Sequence, residues 1–115
     1  MRISVSSENV KVNEKTHEHI QRCIYFAIGR FGTAIERVDV RVADINGPRG
    51  GIDKRCQIIV KPLTQGSNPI VVSATDESLS AAIAHASDRA GRTVGRAVER
   101  RRQKRKKNYP ILQAE

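Results

Sequence analysis

Four arginines, spaced three or four residues apart, have the clearest chemical potential in this sequence. They are Arg89, Arg92, Arg96 and Arg100. On an α-helix this spacing places side chains on one flank, ~5–6 Å apart. Because a guanidinium group binds phosphate oxygens in a planar, bidentate geometry, such a row predicts contact with successive backbone phosphates of a nucleic acid. We name these four residues the arginine row.

The simpler alternative for the arginine row is a solvated helix face. Such faces usually mix the two signs of charge. Residues 89–107, however, hold ten basic side chains and one acid, Glu99, so this segment sums to +9. The formal net charge of the whole 115-residue chain is also +9, from 21 bases and 12 acids, which leaves the remainder neutral. The sequence therefore predicts one ordinary domain with a concentrated cationic end and a polyanionic partner.

Two further cations, Lys54 and Arg55, follow the glycine-rich stretch 46–52. That stretch lacks the spacing of a phosphate-binding loop and precedes a strand instead of opening a helix, so we do not expect a nucleotide site. We expect a flexible hairpin that offers these cations to RNA. The basic run 100–107 adds undirected attraction for any polyanion, acidic membranes included.

Catalytic and metal chemistry has little support in the sequence. His17 and His19 would point to different faces of a helix, and neither Cys23 nor Cys56 has a nearby cysteine partner of the kind that binds zinc. Both cysteines fall on apolar faces, where a thiol usually fills the core. No nucleophile–base–acid set stands out, so we expect no enzyme, no metal, no cofactor and no small-molecule substrate. A thiol or metal enzyme built on the cysteines and histidines is kept as the weakest hypothesis.

The composition also bears on location and on the kind of nucleic-acid contact. No run approaches the ~20 apolar residues of a membrane span, and the start of the chain alternates at once instead of resembling a signal peptide. We therefore expect a cytoplasmic protein without a membrane partner. Only four side chains are aromatic, fewer than a protein that stacks single-stranded bases usually has. Contact with phosphates and with the shape of folded RNA is the expectation.

The periodicity of apolar residues predicts the order β-α-β-β-β-α. Alternation marks a first strand at 2–6 with Val10 and Val12 in phase beyond a kink, and later strands near 35–42, 54–61 and 70–74. A first helix is expected at about 14–31, with Asn13 as its N-cap and Gly32 as a left-handed residue after its end.

The second helix is predicted to follow an N-cap at Asp76 and to continue toward residue 105, with an apolar stripe of period near 3.6. Gly91 and Gly95 lie inside it at a cost of roughly 1 kcal/mol each against Ala. These elements make an α+β sandwich, one four-stranded sheet with both helices on one face. We assign 1–100 to this domain and 101–115 to a basic helix end and tail.

With this order and the basic helix in place, the chain resembles the bacterial family of ribosome hibernation promoting factors and ribosome-associated inhibitors, in its short form. The resemblance covers about residues 1–100. It rests on Ile3-Ser4-Val5 through Val12-Asn13-Glu14, on Ala81-Ala82-Ile83, and on Asp88-Arg89-Ala90-Gly91-Arg92 with Arg96 and Arg100. Asp44-Ile45-Asn46-Gly47 and Gly50-Gly51-Ile52-Asp53-Lys54-Arg55-Cys56 look like the loop of a less studied branch.

The resemblance implies a function without catalysis. Members of the family bind the small ribosomal subunit, where messenger and transfer RNA would lie, and stall translation under stress. The family's RNA-binding residues carry over to the arginine row and, less directly, to Lys54 and Arg55. The open alternative is a general RNA- or DNA-binding protein that acts by charge alone.

Overall fold

The computed structural model describes residues 1–45, 53–64 and 66–108, with side chains described to residue 104. The predicted order of elements and the α+β class are confirmed. The glycine-rich stretch 46–52 and the last residues, 109–115, lie outside the described residues. The elements are β1 (Arg2–Glu8), α1 (Glu14–Ile28), a 3₁₀ helix (Gly29–Ala34), β2 (Ile35–Asp44), β3 (Lys54–Pro62), β4 (Ile70–Asp76) and α2 (Leu79–Asn108).

The four strands form one mixed sheet in the order β1-β2-β3-β4. Strand β1 runs parallel to β2, whereas β2–β3 and β3–β4 are antiparallel. A parallel pair needs a long crossover connection, and α1 provides it. The register aligns Val5, Val40, Ile58 and Val72 across the sheet. Because side chains alternate between the two faces of a strand, this row marks the apolar face.

Both helices cover that apolar face, as predicted. From α1, Ile20, Ile24 and Ile28 are fully buried at one-turn intervals. From α2, the buried positions are mostly small, among them Ala86 and Ala90. All of these residues belong to one hydrophobic cluster with the inward side chains of the sheet. Small residues on α2 let its backbone lie close to the strands and to α1.

The ends of α1 agree with the sequence prediction at one terminus only. Asn13 is the N-cap, and its side-chain oxygen accepts a hydrogen bond from the Thr16 N–H at 2.8 Å. The helix ends at Ile28, three residues before the predicted end, because the chain tightens into the 3₁₀ helix before it enters β2. The prediction for Gly32 is wrong. Gly66 is the glycine with a positive φ among the described residues, and the Gly32 carbonyl accepts from the Ile35 N–H.

The prediction of Asp76 as the N-cap of α2 is also wrong. Asp76 is the last residue of β4, where it pairs with Lys54, so α2 starts two residues later than a cap at 76 would allow. Ser78 takes the capping position instead. Its Oγ accepts from the Ala81 N–H at 3.3 Å, and Asp76 Oδ1 accepts from the Ser78 N–H. At its other end α2 continues to Asn108, past the predicted 105.

Arg101 fastens the distal part of α2 to the rest of the fold. Its guanidinium donates to Thr64 Oγ1 at 2.9 Å and to Ser67 Oγ, both in the connection between β3 and β4. For residues 100–107 the sequence predicted only undirected attraction, so this contact was not expected. Arg101 follows Ala97 by four residues and Val94 by seven, so it continues the apolar stripe and faces the sheet.

The two helices cross most closely where α2 has a glycine. A Cβ added to Gly91 would lie 3.0 Å from the backbone oxygen of Ala27 in α1. At Gly95, one turn later, an added Cβ would lie 3.7 Å from the Phe31 ring, an ordinary van der Waals distance. The two glycines therefore differ in purpose: Gly91 permits the crossing, whereas Gly95 is not required by it.

This difference predicts different responses to the same substitution. Gly95→Ala should raise the free energy of unfolding by up to about 1 kcal/mol, since alanine favours the helical state. Gly91→Ala gains the same propensity but presses on the α1 backbone, so it should be the less stable variant of the two. Urea unfolding followed by circular dichroism measures both. Equal stability of the two variants would contradict a close crossing at Gly91.

The Arg101 contact gives a second prediction. Arg101→Ala should lower the free energy of unfolding by about 1 kcal/mol, because it removes the hydrogen bonds to Thr64 and Ser67. Arg102→Ala is the matched control, since Arg102 is exposed and has no described polar partner within residues 1–45, 53–64 and 66–104. The same unfolding measurement applies. If both variants behave alike, Arg101 does not anchor α2.

Candidate nucleic-acid interface on the second helix

The structure places the arginine row on α2 with all four side chains exposed. Ala90 and Val94, on a neighbouring face of the helix, are buried in the core. Docking of this apolar stripe therefore leaves the arginines on the solvent side, as the helical phase predicted. The sheet holds the helix, so the row is presented on a rigid element.

The first member of the row, Arg89, leans toward β4. Its Nη1 donates to the Ser73 carbonyl oxygen at 2.7 Å. The next member, Arg92, forms an ion pair with Asp88 one turn earlier, at 3.0 Å between Nη2 and Oδ2. Both partners of that pair are about two-thirds exposed. An exposed pair of this kind contributes little to stability, so Arg92 can exchange Asp88 for a phosphate at small cost.

The outer members of the row, Arg96 and Arg100, are the least engaged. Neither guanidinium has a hydrogen bond or an ion pair with any part of the chain that the structure describes. Each side chain therefore keeps all five N–H donors available for a ligand. The row is thus graded, from Arg89 on the sheet edge to Arg96 and Arg100 in solvent.

Arg92 lines two concave surfaces, one on each side of α2. On one side it lines a cleft of about 370 Å³ against β4, together with Ser73, His85 and Arg89. On the other side it lines a groove between α1 and α2. We call this second feature the interhelix groove; it consists of two adjoining stretches of about 730 and 600 Å³ that share Arg30, Gly91 and Arg92.

Arg30 is a functional candidate that the sequence analysis missed. It is exposed at the start of the 3₁₀ helix, and its guanidinium carbon lies 4.7 Å from the centre of the Phe31 ring, a cation–π contact. The Phe31 ring lies in turn beside Gly95. This stack brings a cation from outside α2 to the interhelix groove. The spacing of Gly91 and Gly95, one turn apart, was the available signal that α2 has a close neighbour there.

None of the described contacts joins Lys54 or Arg55 to the arginine row. Lys54 Nζ lies 2.9 Å from Asp53 Oδ1 and 3.2 Å from Asp44 Oδ2. The hydrogen bond with Asp53 raises the pKa of Lys54. The Lys54 charge is therefore balanced within the protein, where it joins the ends of β2 and β3. Arg55 is exposed and alternates with the buried Cys56, so it lies on the face of the sheet opposite to α1 and α2.

The thiols do not have the properties of a reactive site. Burial raises the pKa of Cys56 to about 12 and also raises the pKa of Cys23. A thiol with a raised pKa is a poor nucleophile at neutral pH because the thiolate is the reactive form. Cys23 Sγ lies 3.7 Å from His19 Nε2. Among the described residues, no three or more histidines, cysteines or acids are grouped as metal ligands would be.

In the part of the chain that the structure covers, no helix is both long and apolar enough to cross a membrane. In α2, the longest described helix, the many basic side chains of the C-terminal half make the helix too polar to cross a membrane.

Comparison with solved structures identifies similar folds. A ribosomal subunit interface protein from Coxiella burnetii is similar with a TM-score of 0.71 and 13% sequence identity, over 86% of this chain and 99% of that one. The N-terminal domain of Protein Y from Thermus thermophilus is similar with a TM-score of 0.63 and 21% identity, over 84% of this chain and 98% of that one. At these identities the likeness shows the fold. Comparison with curated proteins gives no match.

A family model gives the assignment. The model described as "Sigma 54 modulation protein / S30EA ribosomal protein" matches residues 3–102. The match runs from β1 into the distal part of α2 and so includes every member of the arginine row. This chain therefore belongs to the sigma 54 modulation protein / S30EA ribosomal protein family, the ribosome hibernation family that its sequence resembles.

Proposed function

We propose that this protein is a ribosome-associated translation inhibitor that binds the RNA of the small ribosomal subunit, in the channel for messenger and transfer RNA, under stress. It acts in the cytoplasm and without catalysis. Family membership supports the ribosomal partner, and the solved relative described as a ribosomal subunit interface protein has the same fold. The arginine row supplies the main contacts.

The observation that carries the proposal is the availability of these guanidinium groups. Arg96 and Arg100 are exposed without a described internal partner, and Arg92 is held by one exposed carboxylate only. Successive arginines on one flank match the spacing of phosphates along a groove of folded RNA. Because the helix is packed on the sheet, binding does not require the row to be ordered first, which lowers the entropic cost of association.

Lys54 and Arg55 differ in how many hydrogen-bond donors they can offer to RNA. Arg55 is exposed and offers its guanidinium from the face of the sheet opposite to α1 and α2. The Lys54 ammonium has three donors and gives one to each of Asp44 and Asp53, so at most one remains for RNA. We assign Lys54 mainly to the stability of the hairpin between β2 and β3.

A charge-driven binder without ribosome specificity is the rival proposal, since a net charge of +9 attracts any polyanion. The two proposals differ in the position of the effective charges. Specific binding depends on α2, whereas charge-driven binding depends on the sum and treats all exposed arginines alike. The two experiments that follow use this contrast.

Reversal of two arginines in the row should abolish ribosome association. In Arg92→Glu/Arg96→Glu the row loses two phosphate contacts and gains two repulsive charges, while both positions are exposed and the fold should be kept. The measurement is sedimentation of the purified protein with small ribosomal subunits. Arg2→Glu/Arg41→Glu is the matched control, with the same change in net charge on exposed residues of β1 and β2.

The control double variant should still sediment with the subunits. Equal loss in both double variants would favour the charge-driven proposal. Unchanged binding of Arg92→Glu/Arg96→Glu would remove the row from the interface. Thermal unfolding of every variant shows whether the fold is intact.

The salt dependence of binding should identify single phosphate contacts. Each phosphate contact adds about one to the slope of log affinity against log salt concentration. Arg96→Ala should therefore lower the slope for small subunits by about one, whereas Arg41→Ala should leave it unchanged. Affinity measured between 50 and 200 mM salt, a range over which six contacts cost ~10³-fold, gives both slopes. A slope that falls equally in both variants would argue against the row.

A further inference from the structure

Phe26 is the most exposed large hydrophobic residue among those described. Its side chain is 93% exposed, on the surface of α1 beside the interhelix groove. The chain has only four aromatic residues, and a second one, Tyr25, is also more than half exposed. An exposed apolar ring does not gain the hydrophobic free energy that burial in the core would give it. Phe26 is therefore available for contact with a ligand.

The surroundings of Phe26 combine apolar and cationic groups. The lining of this stretch of the groove includes the small residues Ala27, Ala84 and Gly91. Arg30 stands on the α1 side and Arg92 on the α2 side. The acid at the rim, Asp88, is already paired with Arg92. A flat apolar surface between two cations is complementary to a nucleotide, whose base is flat and whose phosphates are anionic.

We propose that the interhelix groove binds an unpaired base of the RNA, stacked on Phe26, with the neighbouring phosphates on Arg30 and Arg92. This inference rests on the proposed function and adds to it a nucleotide-binding subsite. Arg92 connects the two surfaces, since it belongs both to the arginine row and to the groove. RNA that follows the row can therefore place a base in the groove without leaving the helix.

The subsite differs from the expectation drawn from composition. Few aromatic residues argued against base stacking in general, because proteins that bind long single strands use several rings. One base needs one ring. The composition counts the rings but does not show that this one is outside the core, whereas Phe31 is partly buried against it.

The charge of the rim decides between RNA and a protein as the occupant. An exposed phenylalanine alone would fit an apolar protein surface equally well. Here the cations Arg30 and Arg92 flank it from two different helices. The adjoining stretch of the groove adds two cations, Arg96 and Arg102, against one acid, Glu99. The positive potential of this rim is complementary to a polyanion, which favours RNA as the occupant.

Fluorescence provides a direct test, since the chain contains no tryptophan. In Phe26→Trp the single indole should be quenched when it stacks on the bases of poly(U), a single-stranded RNA. Heparin carries negative charge without bases, so it should bind without comparable quenching. The inference is overturned if heparin quenches as strongly as poly(U). It is also overturned if poly(U) binds, as filter binding shows, without quenching.

Affinity for small ribosomal subunits is the second test. Phe26→Ala should weaken binding by about 5- to 150-fold, the range for loss of a base-stacking ring. Phe26→Leu is the matched control, because it keeps an apolar side chain of similar size and helix propensity without the ring, and it should weaken binding as Phe26→Ala does. Phe26→Tyr keeps an aromatic ring and should bind small subunits as the wild type does. Binding by Phe26→Leu at the wild-type level would indicate an apolar protein contact and overturn the inference.

These outcomes separate the subsite from the proposed function. Stacking leaves the charges unchanged, so Phe26→Ala should lower affinity at every salt concentration without a change in the salt slope. If all Phe26 variants bind as the wild type while Arg92→Glu/Arg96→Glu does not bind, the subsite fails and the proposed function stands. If the wild type does not bind small subunits at all, the proposed function fails.

Discussion

The close crossing of α1 and α2 at Ala27 and Gly91 is the constraint on which the rest of the structure depends. It holds both helices on the same face of the sheet, so the isoleucines of α1 and the alanines of α2 share one core. It also sets the distance between a cation of the 3₁₀ helix, Arg30, and the arginines of α2. A side chain at position 91 would separate the helices and widen the groove between them. Packing in the core thereby determines the geometry of a charged surface.

Most of the fold could be predicted from periodicity, because burial on one face imposes it directly. Val38, Val40 and Val42 alternate, and the structure buries all three. The errors occur at element ends, where local preference competes with tertiary pairing. Asp76 is a good N-cap by type, but pairing with Lys54 keeps it in β4. Arg101 is a different case. Its charge indicates a position in solvent, but its helical phase places it where it donates a hydrogen bond to Thr64.

The site was only partly predictable, for a related reason. The arginine row lies within one helix, so its phase alone places it on one flank. Lys54 is different, because its ion pair with Asp44 depends on the register of β2 against β3 and could not be read from local spacing. Phe26 belongs to α1 and Arg30 to the 3₁₀ helix that follows it. Nothing in their local sequence indicates that α2 lies beside them. Residues that meet through helix packing are the ones that a single sequence leaves unassigned.

The contact between Arg89 and the Ser73 carbonyl has a consequence for solubility. Strand β4 is at the edge of the sheet, and the outer edge of such a strand can pair with a strand of another molecule and start aggregation. Arg89 occupies one of the outward carbonyls and places a positive charge along the same edge. A second chain that approached β4 would have to displace this hydrogen bond and would meet its own copy of the same charge. The first arginine of the row thus also makes the β4 edge a poorer partner for a strand of another molecule.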